Sequence, residues 1–154
     1  MAALRETRPF VIKEYVMASL RHERLIEAAP QDVWNIVRRP QSITDWFPGV
    51  ASCRVDGRRR VLTLATGLEV PEEILSVDEG LRRFAYRIVA PAYKFHLGTI
   101  DVLSVGAHSL CVYSTTAEPD TLALIIAGAT IGALEEIKRQ AESWRAVSRE
   151  RGQE

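Results

Sequence analysis

Hydrophobic and polar residues alternate with a period of two over residues 50–117. Turn signals such as Asp56-Gly57 interrupt this alternation at short intervals. The pattern predicts six consecutive short strands joined by tight turns, as in an antiparallel meander. One further polar, partly alternating strand is predicted upstream, over residues 19–27.

Helical spacing is found on both sides of this meander. Pro30 suits the first position of a short helix, and Ser42 can cap a second one that ends near Trp46. Thr121 can cap a long helix that runs to about Arg149. Its predicted apolar stripe comprises Leu122, Ile126, Ala133, Ile137, Ala141 and Trp144. An antiparallel sheet needs a cover for its apolar face, and only this helix is long enough.

The order of elements therefore predicts an α+β fold. We expect a seven-stranded curved antiparallel sheet wrapped around a long C-terminal helix, with two short helices after the first strand. Residues 1–15 are expected to form an N-terminal extension, residues 16–149 the domain, and residues 150–154 a flexible tail.

Composition excludes several classes of protein. The 154 residues suit one domain, and 20 basic against 20 acidic residues give no net charge that would attract nucleic acid. The apolar run over residues 122–134 is shorter than the ~20 residues that a membrane span needs. The N-terminus lacks the apolar segment of a signal peptide, so we expect a cytoplasmic protein. No histidines or cysteines have metal-ligand spacing, and no metal is expected.

Four short motifs carry a family resemblance. Residues 28–34 contain A-P-x-x-V-W, residues 46–50 read W-x-P-G-V, and residues 72–78 read E-x-I-x-x-V-D before R-x-x-Y-x-I at residues 83–88. In this order they resemble the START-like or Bet v 1-like (SRPBCC) superfamily, with its helix-grip fold, over residues 19–145. The resemblance is closest to the polyketide cyclase/dehydrase branch.

The resemblance implies a cavity between the sheet and the last helix for a small hydrophobic or amphipathic molecule, lipid or polyketide-like. Members of the superfamily include carriers, receptors and cyclases, so the fold alone does not choose a function. Two functions stay open. One is binding or carriage of such a molecule; the other is a cofactor-independent cyclase- or dehydratase-type enzyme. No cofactor is expected in either case.

Three residues are candidates for acid/base or orienting roles. Tyr86 alternates in phase with apolar neighbours and is expected to point inward. His96 shares a face with apolar residues, and its ordinary pKa near neutrality suits proton transfer, although a core histidine is the alternative. Glu72 and Glu73 face opposite sides of one strand. The resemblance favours Glu72 as the inward one.

The residues expected to line the cavity come from several elements. They are Trp46, Phe47, Phe84, Tyr86, Ile88, His96, Ile100, Val112, Ile126 and Ala129. The face that strand 109–117 turns inward stays open, since both of its faces are apolar. The run of arginines at 58–60 is expected in a solvated turn, and His22 is expected in solvent.

The outer face of the last helix carries large apolar residues. Leu124 and Ile131 project away from the predicted stripe, near Leu122 and Ile125. Such a patch suggests either a homodimer contact or a cavity mouth.

Overall fold

The computed structural model describes residues 16–151, and the side chains of residues 16–144. The predicted extension over residues 1–15 lies outside the described residues, as do residues 152–154 of the predicted tail. The elements are β1 (Ala18–Ile26), α1 (Pro30–Val37), a 3-10 turn (Pro40–Ser42), α2 (Ile43–Trp46), β2 (Val50–Asp56), β3 (Arg59–Leu64), β4 (Glu69–Asp78), β5 (Arg83–Ile88), β6 (Phe95–Val105), β7 (His108–Glu118) and α3 (Asp120–Arg151).

The strands form one antiparallel sheet in the order β1-β7-β6-β5-β4-β3-β2. Strands β2 to β7 are a meander of neighbouring hairpins, and β1 pairs with β7 to complete seven strands. Gly57 adopts the left-handed backbone conformation, with φ of 57°, in the predicted turn between β2 and β3. The predicted fold is thereby confirmed.

Helix α3 packs against β1 and β7 through small and medium-sized side chains. The buried positions are Ala123, Ala127, Thr130, Ala133, Leu134, Ile137 and Ala141. The predicted stripe was therefore partly wrong, since Trp144 is 52% exposed and Ile126 is only half-buried. Alanine and threonine let the helix approach the sheet closely, so its phase follows small residues and not the largest ones.

The ends of α3 also differ slightly from the prediction. The helix begins at Asp120, whose Oδ1 accepts a hydrogen bond of 2.7 Å from the N–H of Thr121, and it continues to Arg151. Among the described residues, no helix is both long and apolar enough to cross a membrane.

The short helices α1 and α2 pack against α3 and against strands of the sheet. Ser42 does not cap α2 with its side chain; its hydroxyl donates to the carbonyl of Ile36 at 2.7 Å and accepts from Trp46 Nε1 at 3.2 Å. The indole of Trp34 is fully buried and donates to Glu79 at 2.7 Å. Both tryptophans are thus held in place by hydrogen bonds as well as by packing.

Candidate functional site

A buried ion pair lies on the inner face of β3 and β4. Arg60 and Glu72 are direct register partners and are 2% and 4% exposed. Arg60 donates to Oε2 of Glu72 through Nε at 2.8 Å and through Nη2 at 2.5 Å. Its Nη1 donates to the carbonyl of Pro40 at 2.9 Å. The expectation that Arg60 sits in a solvated turn was wrong.

The signal for Arg60 was present in the sequence. Arg60 alternates in phase with Leu62 and Leu64, which face the core, whereas Arg59 is exposed. Arginines in a run are usually exposed to solvent, but the alternation of the strand turns the Arg60 side chain toward the core. An inward arginine needs a buried partner, and the facing position on β4 supplies it.

Glu72 is the inward member of the acidic pair, as the resemblance favoured. Glu73 lies on the outer face, where it pairs with Arg87. Burial raises the pKa of the Glu72 carboxyl, and the neighbouring Arg60 cation offsets part of that rise. Both Arg60 bonds go to one carboxylate oxygen, Oε2.

Two tyrosine hydroxyls meet beside this ion pair. Tyr86 is buried on β5, and its hydroxyl lies 2.8 Å from that of Tyr113 on β7. Burial is the main cause of the raised pKa of each phenol, so both are protonated at neutral pH. One hydroxyl donates its hydrogen to the other in this hydrogen bond. The hydrogen of the second hydroxyl is therefore free to be donated to another acceptor. The Arg60 guanidinium lies 5.3 Å from the centre of the Tyr86 ring, which favours a cation–π contact.

Gly98 makes this arrangement possible. Tyr86 and Gly98 are register partners on β5 and β6, and a Cβ at residue 98 would overlap the Tyr86 ring and hydroxyl. The ring therefore lies across the backbone of β6, where any other residue would displace it.

His96 is buried next to Tyr86 and is 5% exposed. Its ring centre lies 5.5 Å from that of Tyr86 and 5.5 Å from that of Tyr93. The backbone N–H of Ile88 donates to its Nδ1 at 3.0 Å, while its Nε2 has no hydrogen-bond partner among the described residues. Burial lowers the pKa of His96 to about 4.

These facts fix the chemistry of His96. The ring is neutral near pH 7, and because Nδ1 accepts a hydrogen bond, the ring hydrogen must be on Nε2. His96 therefore offers a donor to the interior. Its one lone pair is already engaged, so it is poorly arranged to act as a general base.

A sixth polar residue belongs to the same region. Thr115 is 1% exposed, and its Oγ1 lacks a partner among the residues that are described. It pairs in register with Gly98. We refer to the residues Arg60, Glu72, Tyr86, His96, Tyr113 and Thr115 as the polar cluster.

Most of the predicted lining residues lie on the inner side. Phe84 and Ile100 are buried there, and the rings of Trp46 and Phe47 lie 6.5 Å and 6.4 Å from that of Tyr113. Ile88 is partly buried and packs against the core. Ile126 lies at the edge of the buried face of α3.

Two of the predicted lining residues are misplaced. Val112 lies on the outer face of the sheet, because its register partners are the outward-facing Glu23 and Asp101. Ala129 is exposed, since two residues from the buried Ala127 amount to about 200° around a helix. Neither side chain faces the space between sheet and helix.

His22 also departs from its predicted position in solvent. It is half-buried on the inner face of β1, and its Nδ1 lies 3.2 Å from Oγ1 of Thr130 on α3. This contact joins the edge strand to the helix, and His22 is also the register partner of Tyr113 in the polar cluster.

An open cleft of about 510 Å³ leads to one side of the polar cluster. It lies at the β5–β6 connection, and its lining residues include Ile88, Tyr93 and His96. A second cleft of about 470 Å³ borders Glu72. Each of these clefts therefore adjoins one residue of the polar cluster. Among the described residues, no group of three His, Cys, Asp or Glu side chains is placed to hold a metal ion.

The curved seven-stranded sheet and its C-terminal helix define the helix-grip fold of the Bet v 1-like, or SRPBCC, superfamily. Residues 17–147 match the family described as polyketide cyclase / dehydrase and lipid transport. The chain belongs to that family.

Solved structures share the same fold at low sequence identity. The protein XoxI from Bacillus cereus is 22% identical, with a TM-score of 0.76 over 83% of this chain and 98% of the other. Norcoclaurine synthase from Thalictrum flavum, as a point mutant with a transition-state analogue, is 18% identical, with a TM-score of 0.69 over 84% and 97%. The same enzyme in complex with dopamine and hydroxybenzaldehyde is 18% identical, with a TM-score of 0.68 over 83% and 88%. No curated protein matches the chain by sequence.

Proposed function

We propose that this protein binds a small hydrophobic or amphipathic molecule, lipid or polyketide-like, between the sheet and α3. The observation that carries the proposal is the polar cluster, which sits among apolar side chains and includes two buried atoms that have no hydrogen-bond partner among the described residues. Ligand sites of small molecules combine apolar walls with a few convergent polar groups in this way. The apolar part of the ligand would contact Phe84, Ile100 and Trp46.

The family and its structural neighbours support this proposal. The family description includes lipid transport, and norcoclaurine synthase holds dopamine and hydroxybenzaldehyde on the same fold. Both of these compounds join an aromatic body to oxygen groups. A ligand of that kind would suit an apolar wall with a polar cluster at one end.

A cofactor-independent cyclase- or dehydratase-type enzyme is the second candidate. It is favoured by the convergence of His96, Glu72 and Tyr86, of which His96 or Glu72 would serve as the acid/base group and Tyr86 would orient an oxygen. The geometry favours binding over this chemistry. His96 has its lone pair engaged, and the Oε2 atom of Glu72 accepts both bonds from Arg60.

Native mass spectrometry of the purified protein tests the proposal, followed by solvent extraction of any bound molecule. We expect a small organic molecule that remains bound under gentle ionisation and is released on denaturation. A variant at an exposed apolar position outside α3, Leu81→Ser, controls for adsorption to the surface and should carry the same molecule. A protein that carries nothing, and binds none of a panel of lipids and aromatic ketones, would contradict the proposal.

The enzyme candidate has its own test. Incubation with a linear poly-β-ketone should then give a cyclised or dehydrated product with wild type and not with Glu72→Gln, provided that both are folded. Product formation that survives this substitution would exclude Glu72 as the base.

We also propose that the outer face of α3 forms a homodimer contact. Leu124 is 56% exposed and Ile125 is 70% exposed on this face, and a contiguous exposed apolar patch is typical of an interaction site. Sedimentation velocity should show a dimer that Ile125→Lys dissociates. A monomer at all concentrations in the wild type would contradict this contact and leave the cavity-mouth alternative.

A further inference from the structure

Strand β1 is an edge of the sheet, and it pairs with β7 on one side only. The carbonyls of Glu23 and Leu25 accept side-chain hydrogen bonds from Arg24 and Lys138. Successive residues of a strand direct their backbone groups to opposite sides. The odd-numbered residues of β1 therefore turn their backbone N–H and C=O groups away from β7.

The first part of this edge is open. The N–H and C=O groups of Arg21 and the N–H group of Glu23 have no hydrogen-bond partner among the described residues. Farther along the strand, Lys138 covers the edge by its bond to the Leu25 carbonyl. An uncovered row of backbone groups is a template for another strand.

The charges on β1 select one register for such a pairing. Arg21 and Glu23 lie on the outer face, and their side chains are 67% and 48% exposed. If two copies of β1 pair antiparallel about His22, Arg21 of each copy lies opposite Glu23 of the other, and these residues form the hydrogen-bonded pairs. Two-fold registers centred on Arg21 or on Glu23 would place like charges opposite each other.

Helix α3 carries an apolar stripe beside the open part of the edge. The stripe that reaches over β1 recurs at intervals of three and four residues. In its second half, Glu135 and Lys138 bond to β1. In its first half, Leu124 and Ile131 are 56% and 38% exposed, and a Cβ at Gly128 between them would meet no other atom. The uncovered half of the stripe is thus apolar and has room for a close neighbour.

We propose that two copies of this protein pair through β1, antiparallel about His22, so that their sheets become continuous and their α3 helices meet through Leu124 and Ile131. This inference rests on the proposed homodimer and adds the strand that would complete its interface. The contact of His22 with Thr130 places the two-fold axis beside the exposed part of the stripe. Burial of that stripe would add apolar contact to the hydrogen bonds between the strands.

Charge reversal on β1 tests the register. Sedimentation velocity at low ionic strength measures the dissociation constant of the dimer for wild type, Arg21→Glu, Glu23→Arg and the double variant. Each single reversal places like charges opposite each other at two symmetric positions, whereas the double variant restores opposite charges. The matched control is Arg54→Glu, a reversal in an exposed ion pair on the other edge strand, β2.

We expect each single reversal to weaken the dimer by about tenfold or more, and the double variant and Arg54→Glu to dimerise as the wild type does. A mixture of the two single variants should form a heterodimer, because the glutamates of one chain then face the arginines of the other. A dimer that neither reversal weakens overturns this inference, while the α3 contact stands. A wild type that is monomeric at all concentrations overturns both dimer proposals and leaves ligand binding, which native mass spectrometry measures separately.

Discussion

Replacement of His96 by asparagine should make the folded protein less sensitive to acid. The structure keeps the imidazole neutral because the ring is buried and its Nδ1 accepts the N–H of Ile88. Asparagine preserves an acceptor at a similar place and does not titrate. Comparison with this variant therefore measures how much protonation of the His96 ring lowers the free energy of unfolding.

The magnitude follows from the two pKa values. Burial lowers the pKa of His96 to about 4, whereas the ordinary value of 6.5 applies to the unfolded chain. Between those values the unfolded chain takes up a proton that the folded protein refuses, so acid favours unfolding. A gap of about 2.5 pH units at ~1.4 kcal/mol each corresponds to about 3 kcal/mol. This contribution is complete above pH 6.5 and is lost as the pH falls to about 4.

Urea unfolding at several pH values between 7 and 4 measures this effect. The wild type should lose about 3 kcal/mol more of its unfolding free energy over that range than His96→Asn. Carboxylates such as Glu72 also titrate in acid, but they are common to both proteins and cancel in the difference. Parallel curves for the two proteins, or an NMR titration of the His96 ring with a midpoint near its ordinary value, would refute the reasoning.

Other substitutions test the packing and charge of the polar cluster. Glu72→Gln leaves the buried Arg60 guanidinium without a counter-charge and should lower the free energy of unfolding by about 3–5 kcal/mol. Glu69→Gln, which removes the carboxylate of an exposed ion pair, should change it little. Urea unfolding measures both variants. Gly98→Ala should displace the Tyr86 ring, lower Tm and alter the near-ultraviolet circular dichroism. A Cβ at residue 128 of α3 would meet no other atom, so Gly128→Ala should raise Tm, because alanine favours the helix by about 1 kcal/mol over glycine. A fall in Tm would contradict the conclusion that this position has room for a side chain.

The order of elements could be predicted because the strands are short, regular and separated by strong turn signals. The inward positions of Tyr86 and Glu72 followed from alternation and resemblance. Val112 was misplaced for a physical reason, since its strand has apolar residues on both faces and a period of two cannot then set the phase. In α3 the phase was obscured because the residues closest to the sheet are small.

The polar cluster could be predicted only in part. Arg60 was hidden in a run of arginines, although its phase with Leu62 was informative. The state of His96 depends on a backbone N–H from Ile88, and no sequence pattern reveals such a contact. Thr115 was not singled out, because a threonine in a strand is ordinary until its hydroxyl is found buried without a partner.

The three hydrogen bonds of Arg60 also have a mechanical consequence. They tie β3 and β4 to the turn between the short helices through the Pro40 carbonyl. Separation of β3 and β4 from this turn would break these hydrogen bonds while the Arg60 guanidinium is still buried, where water cannot replace them. The β5–β6 connection, where the larger cleft lies, is held by weaker contacts, which include the hydrogen bond from the Ile88 N–H to His96 Nδ1 and the exposed ion pair of Lys94 with Glu118. We therefore expect the molecule to breathe at that connection, with slow amide exchange in β3 and β4 and fast exchange around Ala92.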